Sequence, residues 1–309
     1  MKIKLFSHIS DPDGLGSVVL SLLTFDKVDY QLCKKNEDLN LSILSFLEKE
    51  KYKSYDAIYV CDLCPSKKIL DLISQNELLK SKFHVFDHHE SMEEMGATYD
   101  FVTEEIRIGE KGSCATAMFY DYLLKNYPNE HLNTQTTKTF VELTRLHDTW
   151  EWKSKKEERA YDLEVIFHKF GVDFYIDHFY RKCMNQDEAF FTKKEKAWIL
   201  EYKEETKNYV DLLLDHLVIK KEGNITFGSV LGLYDYRNVL ADEISNTYFE
   251  VDVLVLIAID SYTVSFRSLN HKYSVRKIAE SYGGGGHDFA AACALKKDNR
   301  SELLKRFIL

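Results

Sequence analysis

Short apolar runs that stop at acidic or histidine residues alternate with helical patterns through the first half of this chain, and that alternation leaves few folds open. Residues 2–6 and 83–86 read as strands, and 56–61 (DAIYVC) reads as a buried strand. Between and after them, helical spacing begins at 17–24 (SVVLSLLT) and recurs at 41–51, 67–79 and 114–125 (CATAMFYDYLLK). Strands that alternate with helices call for a parallel sheet covered on both faces. In such open sheets the polar residues that follow each strand collect along one edge, where ligands bind. The fold class predicted is therefore α/β.

The second half has a different rhythm. Residues 134–147 look helical and lead into His147 and Asp148, and the stretch 155–216 is mostly helical and charged. β-rich patterns follow at 224–233, 251–259 and 261–267, then a run of glycines at 283–286. The expected organisation is a parallel-sheet domain over 1–190, a helical linker over 191–215, and a smaller α/β domain over 216–309.

Four clusters of Asp and His each follow an apolar run. The first is S-H-I-S-D-P-D-G-L-G-S, with His8, Asp11 and Asp13. Two carboxylates one residue apart on a turn can reach neighbouring cations, although D-P-D-G is equally an ordinary turn sequence. The second is Asp62, where a buried strand ends; a carboxylate there is costly unless paired or metal-bound, and a helix cap is the bland alternative. The third is F-H-V-F-D-H-H, with Asp87, His88 and His89. Consecutive histidines leaving a strand point different ways, so one can ligate a metal while the other faces a substrate, with Asp87 orienting a ring. The fourth is Asp148 in R-L-H-D-T-W-E-W.

The order of these clusters resembles that of the DHH family of phosphoesterases, whose signature triplet stands at 87–89. G-S-C-A-T-A-M-F at 112–119 looks like the family's entry to the next helix. S-F-R-S and G-G-G-G-H-D-F-A-A-A resemble its associated C-terminal domain, and D-T-W-E-W looks closest to the oligoribonuclease (nanoRNase) branch. His8 stands three and five residues before Asp11 and Asp13, one residue nearer than in many relatives.

The resemblance implies two metal ions bridged by Asp62, His8 and Asp11 holding one and Asp13, His88 and Asp148 the other. Mixed nitrogen and oxygen ligands favour Mn²⁺ over zinc's thiolate sites, with Mg²⁺ as the alternative. Such a pair acidifies a water and neutralises the attacked phosphoryl group. Asp62 and His89 are then the catalytic candidates, His89 binding the scissile phosphate. His147 is read as an active-site group or a helix-terminal cap, and His84 as structural. His131, His168, His178 and His271 show no convergent partners.

In the C-terminal part, Arg267 and Ser268 are candidates for gripping a terminal phosphate. Gly284, Gly285, Gly286 and His287 form a potential anion nest, with a helix expected to follow in the alanine-rich stretch. A formal net charge of −9 provides no global basic field for long nucleic acid, so the implied partners are short oligonucleotides or dinucleotides with one end fixed in the second domain. The expected reaction is hydrolysis of short 5′-phosphorylated oligoribonucleotides to nucleoside 5′-monophosphates. Open alternatives are an adenosine 3′,5′-bisphosphate phosphatase, a cyclic or linear dinucleotide phosphodiesterase, a pyrophosphatase and a non-catalytic nucleotide-binding module.

Six scattered cysteines give no disulfide scaffold, and Cys61 and Cys64 read as small core residues more readily than as a redox pair. The N-terminal apolar run is too short for a signal peptide, and no run reaches the roughly 18 apolar residues a membrane span requires. A cytoplasmic protein without membrane partners is expected, with a homodimer left open.

Overall fold

A computed structural model of the chain describes all residues except 90–92, 106, 110 and 187–188; for 93 and 108 it describes the backbone alone. The chain divides into two compact units, Met1–Leu200 and Glu201–Leu309.

The first unit is a five-stranded sheet. Its strands are β1 (Lys2–His8), β2 (Lys27–Cys33), β3 (Ala57–Cys61), β4 (Phe83–Asp87) and β5 (Val102–Glu104), in spatial order β2-β1-β3-β4-β5. All four pairings are parallel. The connecting helices are α1 (Pro12–Thr24), α2 (Asn36–Glu48), α3 (Lys67–Ser74), α4 (Glu77–Lys80) and α5 (Glu93–Thr98). A small hairpin, β6 (Arg107–Ile108) with β7 (Lys111–Gly112), precedes α6 (Ala115–Asn126), α7 (Gln135–Asp148), α8 (Glu151–Lys155) and α9 (Arg159–Asn185). Helix α10 (Lys193–Leu214) runs across the division between the units.

Strand β3 is buried along its whole length, as its unbroken apolar run requires of a central parallel strand. On one face Phe6, Ile58, Val60, Phe83 and Val85 pack with Ile43 and Phe46 of α2 and Ile69, Leu70 and Ile73 of α3. On the other, Tyr59 and Phe86 meet Phe119 of α6, with ring centres 5.1 and 5.4 Å apart. There α1 packs against α6, α7 and α9. His84 belongs to this layer, stacked on Tyr59 at 5.5 Å and facing the Tyr122 hydroxyl.

Several elements depart from the sequence reading. Helix α1 begins at Pro12, so D-P-D-G is a helix start: the Asp11 carboxylate accepts from Gly14 N and Pro12 occupies the first turn, where its missing N–H costs nothing. Strand β2 escapes a pattern search because it lies at the sheet edge and is mostly exposed, without an apolar run. The helix predicted over 67–79 breaks after Ser74, where Asn76 caps a new short turn by accepting from Leu79 N.

The second unit is a mixed six-stranded sheet, ordered β12-β13-β11-β10-β9-β8. Its strands are β8 (Val218–Glu222), β9 (Ile225–Gly232), β10 (Val253–Ala258), β11 (Thr263–Ser268), β12 (Gly285–Gly286) and β13 (Ala290–Ala294). Only β9 and β10 pair in parallel. Helix α11 (Arg237–Thr247) lies between them in sequence, and α12 (Arg276–Ser281) and α13 (Arg300–Phe307) complete the unit. One face packs Val253, Val255, Phe266 and Ala291 against Leu303 and Phe307. The other packs Val230, Leu254 and Leu256 against Leu240 and Ile244 of α11.

The helix expected after the glycine run is absent, and residues 290–294 form β13 instead. Alternation explains it: Ala291 and Cys293 turn into the core while β13 is bonded on both edges, by β11 and β12. Small side chains here let the glycine strand close in. A Cβ at Gly284 would sit 2.2 Å from Ala292 O.

Candidate metal centre and active site

Strand order 2-1-3-4-5 reverses direction between β1 and β3, and doubly wound sheets place ligands at the carboxyl ends flanking such a reversal. His8 is the last residue of β1, Asp62 follows β3 directly, and Asp87 ends β4 with His88 and His89 behind it. Asp11 and Asp13 lie at the start of α1, and Asp148 is the last residue of α7. Elements far apart in sequence thus deliver His8, Asp11, Asp13, Asp62, Asp87, His88, His89 and Asp148 to one end of one sheet.

Asp62 is the centre of the arrangement. It is almost completely buried and adopts φ +60°, a left-handed conformation that Asp tolerates better than most residues. Its two oxygens face two groups. Oδ2 lies 3.1 Å from His8 Nδ1, which is also 2.7 Å from Asp11 Oδ2. Oδ1 lies 3.5 Å from His88 Nε2, itself 3.4 Å from Asp148 Oδ2 and 3.8 Å from Asp13 Oδ2. His8, Asp11 and Asp62 form one potential ligand set, and Asp13, His88 and Asp148 another. Asp62, His88 and His89 form a third.

The residues fit a pair of divalent cations. His88 Nε2 and Asp148 Oδ2 are both buried and have no hydrogen-bond partner, a costly state that a shared ion removes. Burial, then Asp11 and Asp13, pushes the Asp62 carboxyl up to about 7. Burial, then Asp13, drives Asp148 well above the usual carboxylate range. Burial works against charge on the two histidines, but Asp11 and Asp62 outweigh it at His8, lifting it to about 11. Asp62, Asp148 and Asp13 do the same for His88, to about 10. Protons therefore hold this crowd of acids together where cations would. Oxygen donors with imidazoles suit Mn²⁺ or Mg²⁺, and Cys61, Cys64 and Cys114 are buried free thiols pushed up by burial.

The local scaffold is fixed by contacts the sequence does not advertise. Gly14 is required by close approach, since a Cβ there would fall 2.2 Å from His8 O. Asp13 accepts from Ala115 N and Thr116 N, both at 2.8 Å, so the first turn of α6 orients a candidate ligand. Asp87 Oδ1 accepts from His88 N at 2.8 Å and lies 2.6 Å from His89 Nδ1. Asp87 thus braces the His89 ring and raises its pKa, burial opposing. His89 remains half exposed, whereas His88 turns inward.

Three of the remaining histidines correct the sequence reading. His147 Nε2 lies 3.0 Å from Glu164 Oε2, and His168 Nε2 lies 3.4 Å from Glu164 Oε1. His178 and Lys182 share the buried Glu195 carboxylate, Lys182 at 2.9 Å. The i,i+4 spacing of Glu164 and His168 was the signal available. His131 lies 3.9 Å from Glu130, and His271 packs edge-on against Phe289.

Residues 237–308 match the family model of the DHHA1 domain. The sequence is 27% identical to oligoribonuclease NrnB of Bacillus subtilis (strain 168) over 294 residues, 94% of this chain and 72% of that protein. A solved DHH domain, described as that of a member of a family of ribosomal proteins, aligns with 98% of this chain and 85% of its own at a TM-score of 0.64 and 15% identity. The chain is thus similar to an oligoribonuclease in sequence and to a DHH domain in fold. Its second unit carries the DHHA1 domain.

Within the DHHA1 unit the candidate substrate residues are only partly gathered. Arg267, on β11, is largely buried and donates Nη1 to Ser265 Oγ at 3.0 Å. Alternation along the strand turns Ser268 to the opposite face with Phe266, where its hydroxyl is buried and unpartnered. The glycine run is an edge strand more than a nest. Gly283 N, Gly284 N and His287 N already donate to Glu280, Ala279 and Ala290. Gly285 and Gly286 pair with Ala292 and Ala291. His287 is exposed, and no helix follows it to cap.

Proposed function

We propose that this protein is a metal-dependent phosphodiesterase of the DHH type that hydrolyses short 5′-phosphorylated oligoribonucleotides to nucleoside 5′-monophosphates. The observation that carries the reading is Asp62, whose two oxygens face separate acid–histidine sets at the switch point of a parallel sheet. Two divalent cations held there, Mn²⁺ by preference and Mg²⁺ as the alternative, supply charge neutralisation at the phosphoryl group and a water acidic enough to act as nucleophile near neutral pH. His8 and Asp11 hold one ion, Asp13, His88 and Asp148 the other, and Asp62 both.

His89 has a separate task. With Nδ1 held by Asp87, its Nε2 is the nitrogen left to meet substrate, and the Asp87 charge favours the protonated ring. It grips the scissile phosphate and gives a proton to the departing ribose oxygen, which then need not leave as an alkoxide. Arg267 in the DHHA1 unit binds the 5′-phosphate. Similarity to an oligoribonuclease supports the substrate class, and the net charge of −9 argues against a long basic track.

The test is turnover by the purified chain with Mn²⁺ on 5′-phosphorylated RNAs of about two to thirty nucleotides. Release of 5′-mononucleotides from the shortest substrates, abolished by chelation, is the expected result. Equal rates at both ends of that length range would overturn the substrate reading, and undiminished activity in chelator the metal reading.

A further inference from the structure

The DHHA1 unit holds a second guanidinium beside Arg267. Arg237 is the first residue of α11, and its Nη1 donates to Tyr234 O at 3.1 Å. Its guanidinium carbon lies 4.1 Å from the centre of the Tyr234 ring, and its Nε is buried without a hydrogen-bond partner. Arg267 approaches the same turn from β11. Its Nη2 lies 3.4 Å from Oδ1 of Asn238, the next residue after Arg237, and its Nη1 also donates to Phe266 O at 3.1 Å.

Every acceptor these two side chains meet among the described residues is neutral: Ser265 Oγ, Phe266 O, Asn238 Oδ1 and Tyr234 O. Burial, then Arg237, lowers Arg267 to about 10, which still leaves it charged at neutral pH. Neighbouring like charges in a partly desolvated site are unfavourable until an anion arrives. A monoanion compensates one of them. A dianion compensates both.

Near neutral pH a terminal phosphomonoester carries close to two charges and an internal phosphodiester one. We infer that Arg237 and Arg267 form a two-arginine clamp for a dianionic terminal phosphomonoester, with Arg237 the residue that rejects the monoanionic diester. This rests on the reading that Arg267 meets the substrate's 5′ end, and adds to it the residue that distinguishes an end from the interior of a chain. An internal phosphate then fills the clamp poorly, which selects for cutting near a terminus.

The experiment is calorimetric titration of the full chain in chelator, which removes phosphate binding at the metal centre. The probes are adenosine 5′-monophosphate and its 5′-phosphate methyl ester, which share base and ribose and differ in one charge. Wild type should bind the monoester about ten-fold more tightly. Arg237→Gln should weaken monoester binding by about ten-fold and ester binding by at most about two-fold, erasing the preference. Arg267→Ala should weaken both.

Equal wild-type affinity for the two probes, or equal losses for both in Arg237→Gln, overturns the clamp. Because Arg237 also braces the Tyr234 turn, Arg237→Lys is measured beside it. That variant keeps the charge without the fork; retention of most of the preference supports the proposal and its loss overturns it. Turnover of dinucleotides by wild type with Mn²⁺ reports separately on the reaction. A chain that shows the monoester preference but cleaves nothing breaks the phosphodiesterase reading and leaves the clamp intact.

Discussion

The two units accumulate opposite charges, and each stops short of neutralising its own. At the strand ends of the first unit, Asp11, Asp13, Asp62 and Asp148 surround two histidines, and among the described residues their ion pairs are with His8 and His88 alone. In the second unit, two guanidiniums share one turn and bind only neutral acceptors. Acids without cations suit metal ions, and arginines without acids suit phosphate.

The sharpest way to break this comparison is at Asp62. Asp62→Asn keeps the size and leaves one oxygen, but removes the charge that faces both ligand sets. Activity should fall by more than about a hundred-fold, beyond the loss seen when groups behind metal ligands are changed. His8→Ala should be milder, because it disturbs one set. Near wild-type turnover of Asp62→Asn at saturating Mn²⁺ would remove the two-ion reading.

Next in size is the second unit. Arg267→Ala deletes a charge-assisted contact worth roughly 1.5–3 kcal/mol, or about ten- to hundred-fold in kcat/KM. The loss should fall on 5′-phosphorylated dinucleotides and be much smaller for the same molecules with a 5′-hydroxyl. Bound metal, measured by elemental analysis, should not change. If the variant strips the metals or harms both substrates alike, the division of labour between the units is wrong.

How much of this was legible in sequence follows the same division. Three of the acid–histidine clusters end a strand or begin a helix and the fourth, at Asp148, ends a helix, so strand rhythm and residue type locate most of them: His8, Asp62 and the 87–89 triplet need no long-range knowledge. The contacts that orient them do need it. The amides of Ala115 and Thr116 reach Asp13 from about a hundred residues away, and only the folded sheet brings them there. In the second unit local signals misled. Four glycines and an alanine run suggested a nest and a helix, but β11 offered an open edge, and pairing outweighed the helical propensity of alanine. Nothing in the sequence around Arg237 announces a ligand; its meaning comes from Arg267, thirty residues on.

A smaller effect should separate the two histidines of the triplet. Asp87→Asn leaves an acceptor for His88 N but withdraws the charge that raises the His89 pKa. The expected cost is about ten-fold in kcat, with little change in metal content. The sign of the pH change is fixed. A lower His89 pKa means that its proton is lost earlier as pH rises, so the alkaline limb of kcat should move to lower pH. An unmoved limb would mean that His89 does not supply the proton.

The smallest effect tests whether metal strengthens one unit alone. In chelator, His8 and His88 hold protons to about 11 and 10, and Asp62 to about 7, all above their unfolded values. The folded state then binds more protons than the unfolded one, so these groups contribute less stability as pH rises. The histidine contribution is full below about 6.5 and fades through the folded values, and the Asp62 contribution fades from about 4 to 7. Mn²⁺ must displace the same protons, so its affinity rises with pH. Saturating Mn²⁺ should therefore raise the melting temperature by about 5 °C at pH 8, from roughly 2–3 kcal/mol of binding, and by less at pH 6. Hydrogen exchange on the whole chain should place the added protection at the carboxyl ends of β1, β3 and β4 and the start of α1, leaving residues 201–309 unchanged. A stabilisation that is larger at pH 6, or spread evenly over both units, would mean that the acids of the first unit are not what the metal binds.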